Sequence, residues 1–210
     1  VMLIRLNVDG TMDDTFAGYS DEPNTVAATP GLTVFNPFQI DGGFAEAYAV
    51  GLQSTTGSYV TAGYGGATGP DRTSSFGYES YVAQDMVAFR TSTGTSDSFD
   101  TTFGNSGHTV IQSEGKGFPS SQDRGRHMVV LPDDRTVVVG YYGNVPAAFV
   151  LDIDGAPDTT VFGDGIIELG HDTVSSQFFG AALSPEGNRV AMTTNYNENG
   201  ARLVVVKFGN

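Results

Sequence analysis

Cysteine is absent from this chain of 210 residues. A disulfide framework and a thiolate metal site are thereby excluded, and the redox compartment leaves no mark on the sequence. Basic residues are scarce. Lys and Arg together number 10 against 24 Asp and Glu, the net charge is −14, and lysine occurs only at Lys116 and Lys207. Nucleic-acid binding needs clustered cations on the phosphates, so that class is excluded, as is docking on an anionic membrane surface. Long apolar runs are also missing. "RTVVVGYYG" and "RLVVVKF" are far shorter than the roughly 20 residues that span a bilayer, so no membrane insertion is expected. Nothing reads as a signal peptide, and the start at Val rather than Met leads us to expect a processed or partial chain. An acidic, lysine-poor surface often belongs to proteins working outside the cell or in salt, and an extracellular, cell-surface or periplasmic location is the expectation.

Glycine is abundant, at 28 residues, and a chain of this length can bury roughly 70% of its unfolded surface. The chain repeats itself. "DTTFGNSG" (100–107) is written again as "DTTVFGDG" (158–165), and "DDTFAG" (13–18) is a looser third copy. Each phrase follows an apolar strand and a turn: "MLIRLN" with Gly10, "DMVAFRT" with Gly94, "AAFVLD" with Gly155. After each comes a second strand of small and apolar residues ("AEAYAVGLQ", "GRHMVVL", "FFGAALS"). A polar turn and a further strand follow ("YVTAGY", "VVVGYY", "VAMTTNY"). The period is about 60 residues, with about four strands per copy. We therefore expect an all-β fold, a β-propeller-like array of about three four-stranded blades, alone or as part of a larger ring. Val, Tyr, Phe and Thr fill the strands, and no stretch beyond about ten residues has helical periodicity.

The expected organisation is a single repeat domain over 1–210. Repeat one spans 1–85, repeat two 86–146 and repeat three 147–200, and 201–210 resembles the first strand of a further copy. Two Gly/Pro/Ser/Thr-rich stretches, 18–37 and 65–84, read as surface insertions in repeat one. Phe16, Phe103 and Phe162 are expected to be equivalent, buried plugs between blades. Asp and Thr of the phrase should bond the turn backbone, and Gly should take the bend. Thr193 is expected where the other copies have a strand-ending Gly.

"RLNVDGTMDDTF" and "DTTFGNSGHTVIQ" resemble the delta-sixty repeat of bacterial surface and secreted proteins. The matching positions are Arg5, Asn7, Asp9, Gly10, Asp13, Thr15 and Phe16 in copy one. In copy two they are Phe103, Gly104, Gly107, Pro132, Asp133, Val137, Val138, Val139 and Gly140. In copy three they are Asp152, Asp154, Gly155, Asp158, Thr160, Phe162, Gly163, Gly165, Pro185 and Gly187. The resemblance implies a β-propeller and brings no family-wide catalytic residues.

Candidate chemistry is thin. "GNSGH" (104–108) has the outline of a serine-protease loop, but its glycines belong to the repeat and no base is placed to activate Ser106. His108, His127 and His171 lack ligand spacing. Asp152, Asp154 and Asp158 alternate as calcium ligands do, yet the closing position of a calcium loop is Gly163, and an Asx–Gly hairpin is the expected reading. No catalytic residue, cofactor or metal site is therefore expected. The candidate contact residues are Phe76, Tyr78 and Tyr81 in one insertion, and Lys116, Arg124 and Arg126 in the loop 114–126. The function expected is a non-catalytic binding or assembly module. The alternative is an accessory subunit or domain of an extracytoplasmic enzyme whose catalytic groups lie in another chain. Three blades are fewer than the four to eight that usually close a ring, so a protein partner or self-association is expected to complete the array.

Overall fold

A computed structural model describes residues 1–16, 18–20, 29–34, 44–66, 85–92, 100–105, 107–113, 123–143, 145–169, 176–195 and 200–209. Every regular element among them is a strand. The first sheet holds β1 (Met2–Ile4), β2 (Tyr19–Ser20) and β3 (Leu32–Val34) in the order β1-β3-β2. The second is a meander of β4 (Phe44–Leu52), β5 (Tyr59–Gly66), β6 (Asp85–Thr91) and β7 (His108–Ile111). The third repeats that meander with β8 (Arg124–Val130), β9 (Thr136–Tyr142), β10 (Val145–Leu151) and β11 (Ile166–Glu168). The fourth has β12 (Phe178–Leu183), β13 (Arg189–Asn195) and β14 (Ala201–Lys207).

The sheets are stacked, each facing the next. Val60, Ala62, Met86 and Ala88 of the second sheet meet Met128, Val138, Phe149 and Leu151 of the third in one apolar core. The opposite face of the third sheet, with Val137, Val139, Ala148 and Val150, meets Phe178, Val190 and Met192 of the fourth. Burial on both faces explains why β9 and β10 read as continuous apolar runs rather than as alternation. The first sheet sits on the other side of the second, with Val1 against Val87 and Phe89, and Phe16 edge-on to Tyr59 at 6.3 Å. Two sheets thus have the four strands expected of a blade and two have three. The described strands do not close into a ring.

The sheets straddle the sequence copies. β4 and β5 come from the second half of repeat one, and β6 and β7 from the start of repeat two. The third sheet crosses from repeat two into repeat three in the same way. The hairpins β4–β5, β8–β9 and β12–β13 superimpose through equivalent backbone bonds, Gln53 N–H to Ser58 O, Leu131 N–H to Arg135 O and Ser184 N–H to Arg189 O. That register puts Thr194, not Thr193, at the place of Gly63 and Gly140. Each of the three lies opposite a β-bulge in the preceding strand. The stretch 18–37, expected to be only a surface insertion, supplies β3, which pairs with β1 and buries Thr33.

Candidate interaction surface

The repeated phrase builds the same corner three times. Asp13, Asp100 and Asp158 each donate their N–H back to the preceding strand, at Arg5, Arg90 and Val150. In each, the Asp Oδ1 accepts the backbone N–H and hydroxyl of the Thr two residues on, Thr15, Thr102 or Thr160. Arg5 and Arg90 close the first two corners with Nε–Oδ2 contacts of 2.7 Å and lie over the rings of Phe16 and Phe103 at 4.8 and 5.2 Å. In the third, Val150 stands where that Arg would be. Arg135 reaches in from the β8–β9 turn instead, to Asp158 at 3.1 Å. The Thr15 hydroxyl and the Arg5 guanidinium hold Asp13 below the ordinary carboxylate range. Burial pushes Asp100 up, but bonds from Thr102 and Arg90 outweigh it and leave the group lowered. Thr160 first, then Arg135, lower Asp158 in spite of burial.

The expected equivalence of the three phenylalanines fails at Phe162. Phe16 and Phe103 are 0% exposed, whereas Phe162 is 81% exposed. The N–H groups of Phe16, Phe103 and Val161 bond the three corner Asp carbonyls, so Val161 is the third plug. Phe162 then falls at the place of Gly104, and both have left-handed φ, 52° and 59°. "DTTFGNSG" and "DTTVFGDG" align without a gap, and matching Phe to Phe shifts the register by one. Phe103 does plug the space between sheets. Its ring lies under the turn after β10, where a Cβ on Gly155 would come within 2.6 Å of it, and Gly104 N–H bonds Asp154 O at 2.7 Å.

The turns of adjacent sheets are latched too. Gln53 is fully buried, and its Nε2 donates to Asp134 O and Ile153 O, both at 2.9 Å, while its Oε1 accepts from Arg90 Nη1 at 3.1 Å. Asp134 accepts the N–H groups of Ser54 and Thr55 at 2.7 Å each. Burial opposes its charge, but these bonds prevail and lower its pKa.

Of the three carboxylates considered for calcium, two make turn bonds. Asp152 Oδ1 accepts the N–H groups of Asp154 and Ala156 at 3.0 and 2.8 Å, forming an Asx turn, and Asp158 belongs to the corner. Of the candidate contact residues, Phe76, Tyr78, Tyr81 and Lys116 lie outside the described residues, as do Ser106 and His171. Arg124 and Arg126 are not loop residues as expected. They open β8, because the strand begins earlier than its apolar stretch.

Those two arginines head a row that the sequence does not reveal. The bulges skip Tyr48 in β4, Arg126 in β8 and Phe179 in β12, and a bulge re-aims its extra side chain. Tyr48 and Phe179 are about half exposed, at 45% and 50%. Arg126 lies 5.2 Å from the Tyr48 ring and donates to Gln177 at 2.9 Å, while Arg124 sits 4.4 Å over Tyr64. Glu46 accepts the Tyr64 and Tyr48 hydroxyls at 2.7 and 3.2 Å. Burial, then the bond to Glu46, pushes the Tyr64 phenol up. Burial likewise raises Tyr141, against the pull of Arg124 and Arg126. The available signal was the small residue, Gly63, Gly140 or Thr194, opposite each bulge. A Cβ on Gly63 or Gly140 would lie 1.8 or 1.7 Å from the facing carbonyl oxygen.

No family model matches the chain, and no curated protein matches it. Further exposed apolar side chains lie at the two ends of the stack and on β4, where Val50 and Leu52 are about half exposed. Met2, Ile4 and Leu6 are exposed on and beside β1, and Leu203 and Val205 on β14. Between β1 and β4 a cavity of about 230 Å³ is lined by Leu3, Ile4, Leu6, Val50, Leu52 and Tyr59.

Proposed function

We propose that this chain is a non-catalytic binding or assembly module, a β-propeller-like array of the delta-sixty type that works outside the cytoplasm through contact with a protein partner or another copy of itself. One observation carries the reading: both terminal sheets leave large apolar side chains in solvent, with Leu203 68% and Met2 56% exposed. Soluble proteins normally cover such strands. The chemistry of the corners is in keeping with it, because Asp13, Asp100 and Asp158 are each engaged by a turn threonine and an arginine. The bulge row of Tyr48, Arg126 and Phe179 offers a second contact surface of the aromatic and arginine type that interfaces favour. The test is light scattering of the purified chain over a micromolar concentration range, with and without any protein retained from its source. Association is the expected result. A strict monomer that retains no protein would refute the reading.

A further inference from the structure

Within this chain, the repeat itself indicates what covers an open sheet. Each sheet has a front, turned to the sheet that follows, and a back, turned to the sheet before. The front of the third sheet carries Val137, Val139, Ala148 and Val150, and the back of the fourth covers it. The superimposed hairpins extend this assignment. Val190 and Val206 are paired on the back of the fourth sheet, so Ala191, paired with Val205, and Thr193, paired with Leu203, form its front. No described strand covers that front, and Leu203 and Val205 are 68% and 54% exposed. At the other end, Arg5 and Arg90 are equivalent, which places Leu3 and Arg5 on the front of the first sheet, toward Val50 and Tyr59. Met2, Ile4 and Leu6 then alternate to its back, 56%, 49% and 53% exposed, with Ile4 and Leu6 also bordering the cavity beside β4. Among the described residues, one front and one back thus lie uncovered at the ends of the stack, besides the partly open back of β4 at Val50 and Leu52, and a front and a back are the surfaces that pair at the internal junctions.

We propose that the front of the fourth sheet, centred on Leu203 and Val205, docks on the Met2, Ile4 and Leu6 face of a second copy of this chain, continuing the stack head to tail. This rests on the assembly reading above and names its interface. The contact is heterologous, so it closes into a ring or extends into a filament, according to the rotation between copies.

Complementation tests it. Leu203→Glu/Val205→Glu spoils only the front, and Met2→Glu/Ile4→Glu only the back. All four side chains are about half exposed or more, and far-UV circular dichroism checks that both variants fold. The wild-type mass by sedimentation should rise with concentration. Each variant alone should stay monomeric, its self-association weakened about 100-fold by the buried charges. An equimolar mixture should form a one-to-one dimer that grows no further. Association surviving in either variant alone, or a mixture that remains monomeric while the wild type assembles, would overturn the docking mode and leave the assembly reading standing. A wild type that is monomeric throughout would overturn the docking mode, and one that also retains no protein from its source would overturn both.

Discussion

Phe103 and Phe162 look interchangeable in the sequence and are opposites in the structure, and the difference can be measured. Phe103 is fully buried beneath Gly155. Phe103→Ala should lower stability by about 3–5 kcal/mol, the usual cost of emptying an aromatic core site. Phe162→Ala should fall within about 0.5 kcal/mol of wild type. Phe162 also occupies a φ of 52°, which costs an L side chain about 1–2 kcal/mol. Phe162→Gly should therefore be neutral or stabilising, since its gain is offset by the freedom glycine adds to the unfolded chain. Urea unfolding compares the three. The corner carboxylates and the latch carboxylate Asp134 give a pH signature. Asp13, Asp100, Asp134 and Asp158 are all lowered in the fold, Asp13 and Asp158 chiefly by their Thr partners, Asp100 and Asp134 by bonds that outweigh burial. A lowered carboxylate stabilises above its unfolded pKa of about 3.9, and that contribution is lost as pH falls through the folded value. The urea midpoint should hold from neutrality to mild acid and drop below about pH 4. Asp100→Asn should show a smaller drop than wild type, and an equal drop would remove the corner from the acid response.

At the scale of the element, the three bulged hairpins make the next prediction. Gly140 faces the bulge in β8, and an added Cβ would collide with Arg124 O at 1.7 Å. Gly140→Ala should cost more than about 2 kcal/mol, because backbone cannot yield as a side chain does. Gly200 has nothing within 4 Å and no left-handed φ, so Gly200→Ala should change little. Comparable losses at both positions would mean that the bulge is absent. Much of this level was legible in the sequence. The alternation of small and apolar residues marks β4, β8 and β12, and the Val runs mark β9 and β14 as strands. The short strands β3, β7 and β11 were not legible, because three or four residues carry no usable period. The arginines of β8 were misplaced because loop composition continues into the strand. The bulge row was hidden for a different reason: an extra residue moves a side chain to another direction without altering the sequence pattern around it.

At the scale of the molecule, the all-β character and the three-fold repetition follow from the phrase, the glycines and the strand composition. How the sheets divide the copies does not, because a sheet joins the end of one copy to the start of the next and only pairing reveals that. The central claim is that the array is stacked and open, with β14 paired to β13 and not returned to the first sheet. The absence of cysteine gives it a direct test. Val205 has Ala191 as its cross-strand partner, and Ile4 lies on β1, at the edge of the first sheet. A disulfide forms only where Cα atoms lie within about 7 Å. Two double-cysteine variants, Ala191→Cys/Val205→Cys and Ile4→Cys/Val205→Cys, are oxidised as monomers at high dilution, and intrachain bonds are read by mass spectrometry under non-reducing conditions. The account predicts an intrachain disulfide between positions 191 and 205 and none between 4 and 205. A monomeric 4–205 bond, or failure of the 191–205 bond, would contradict it.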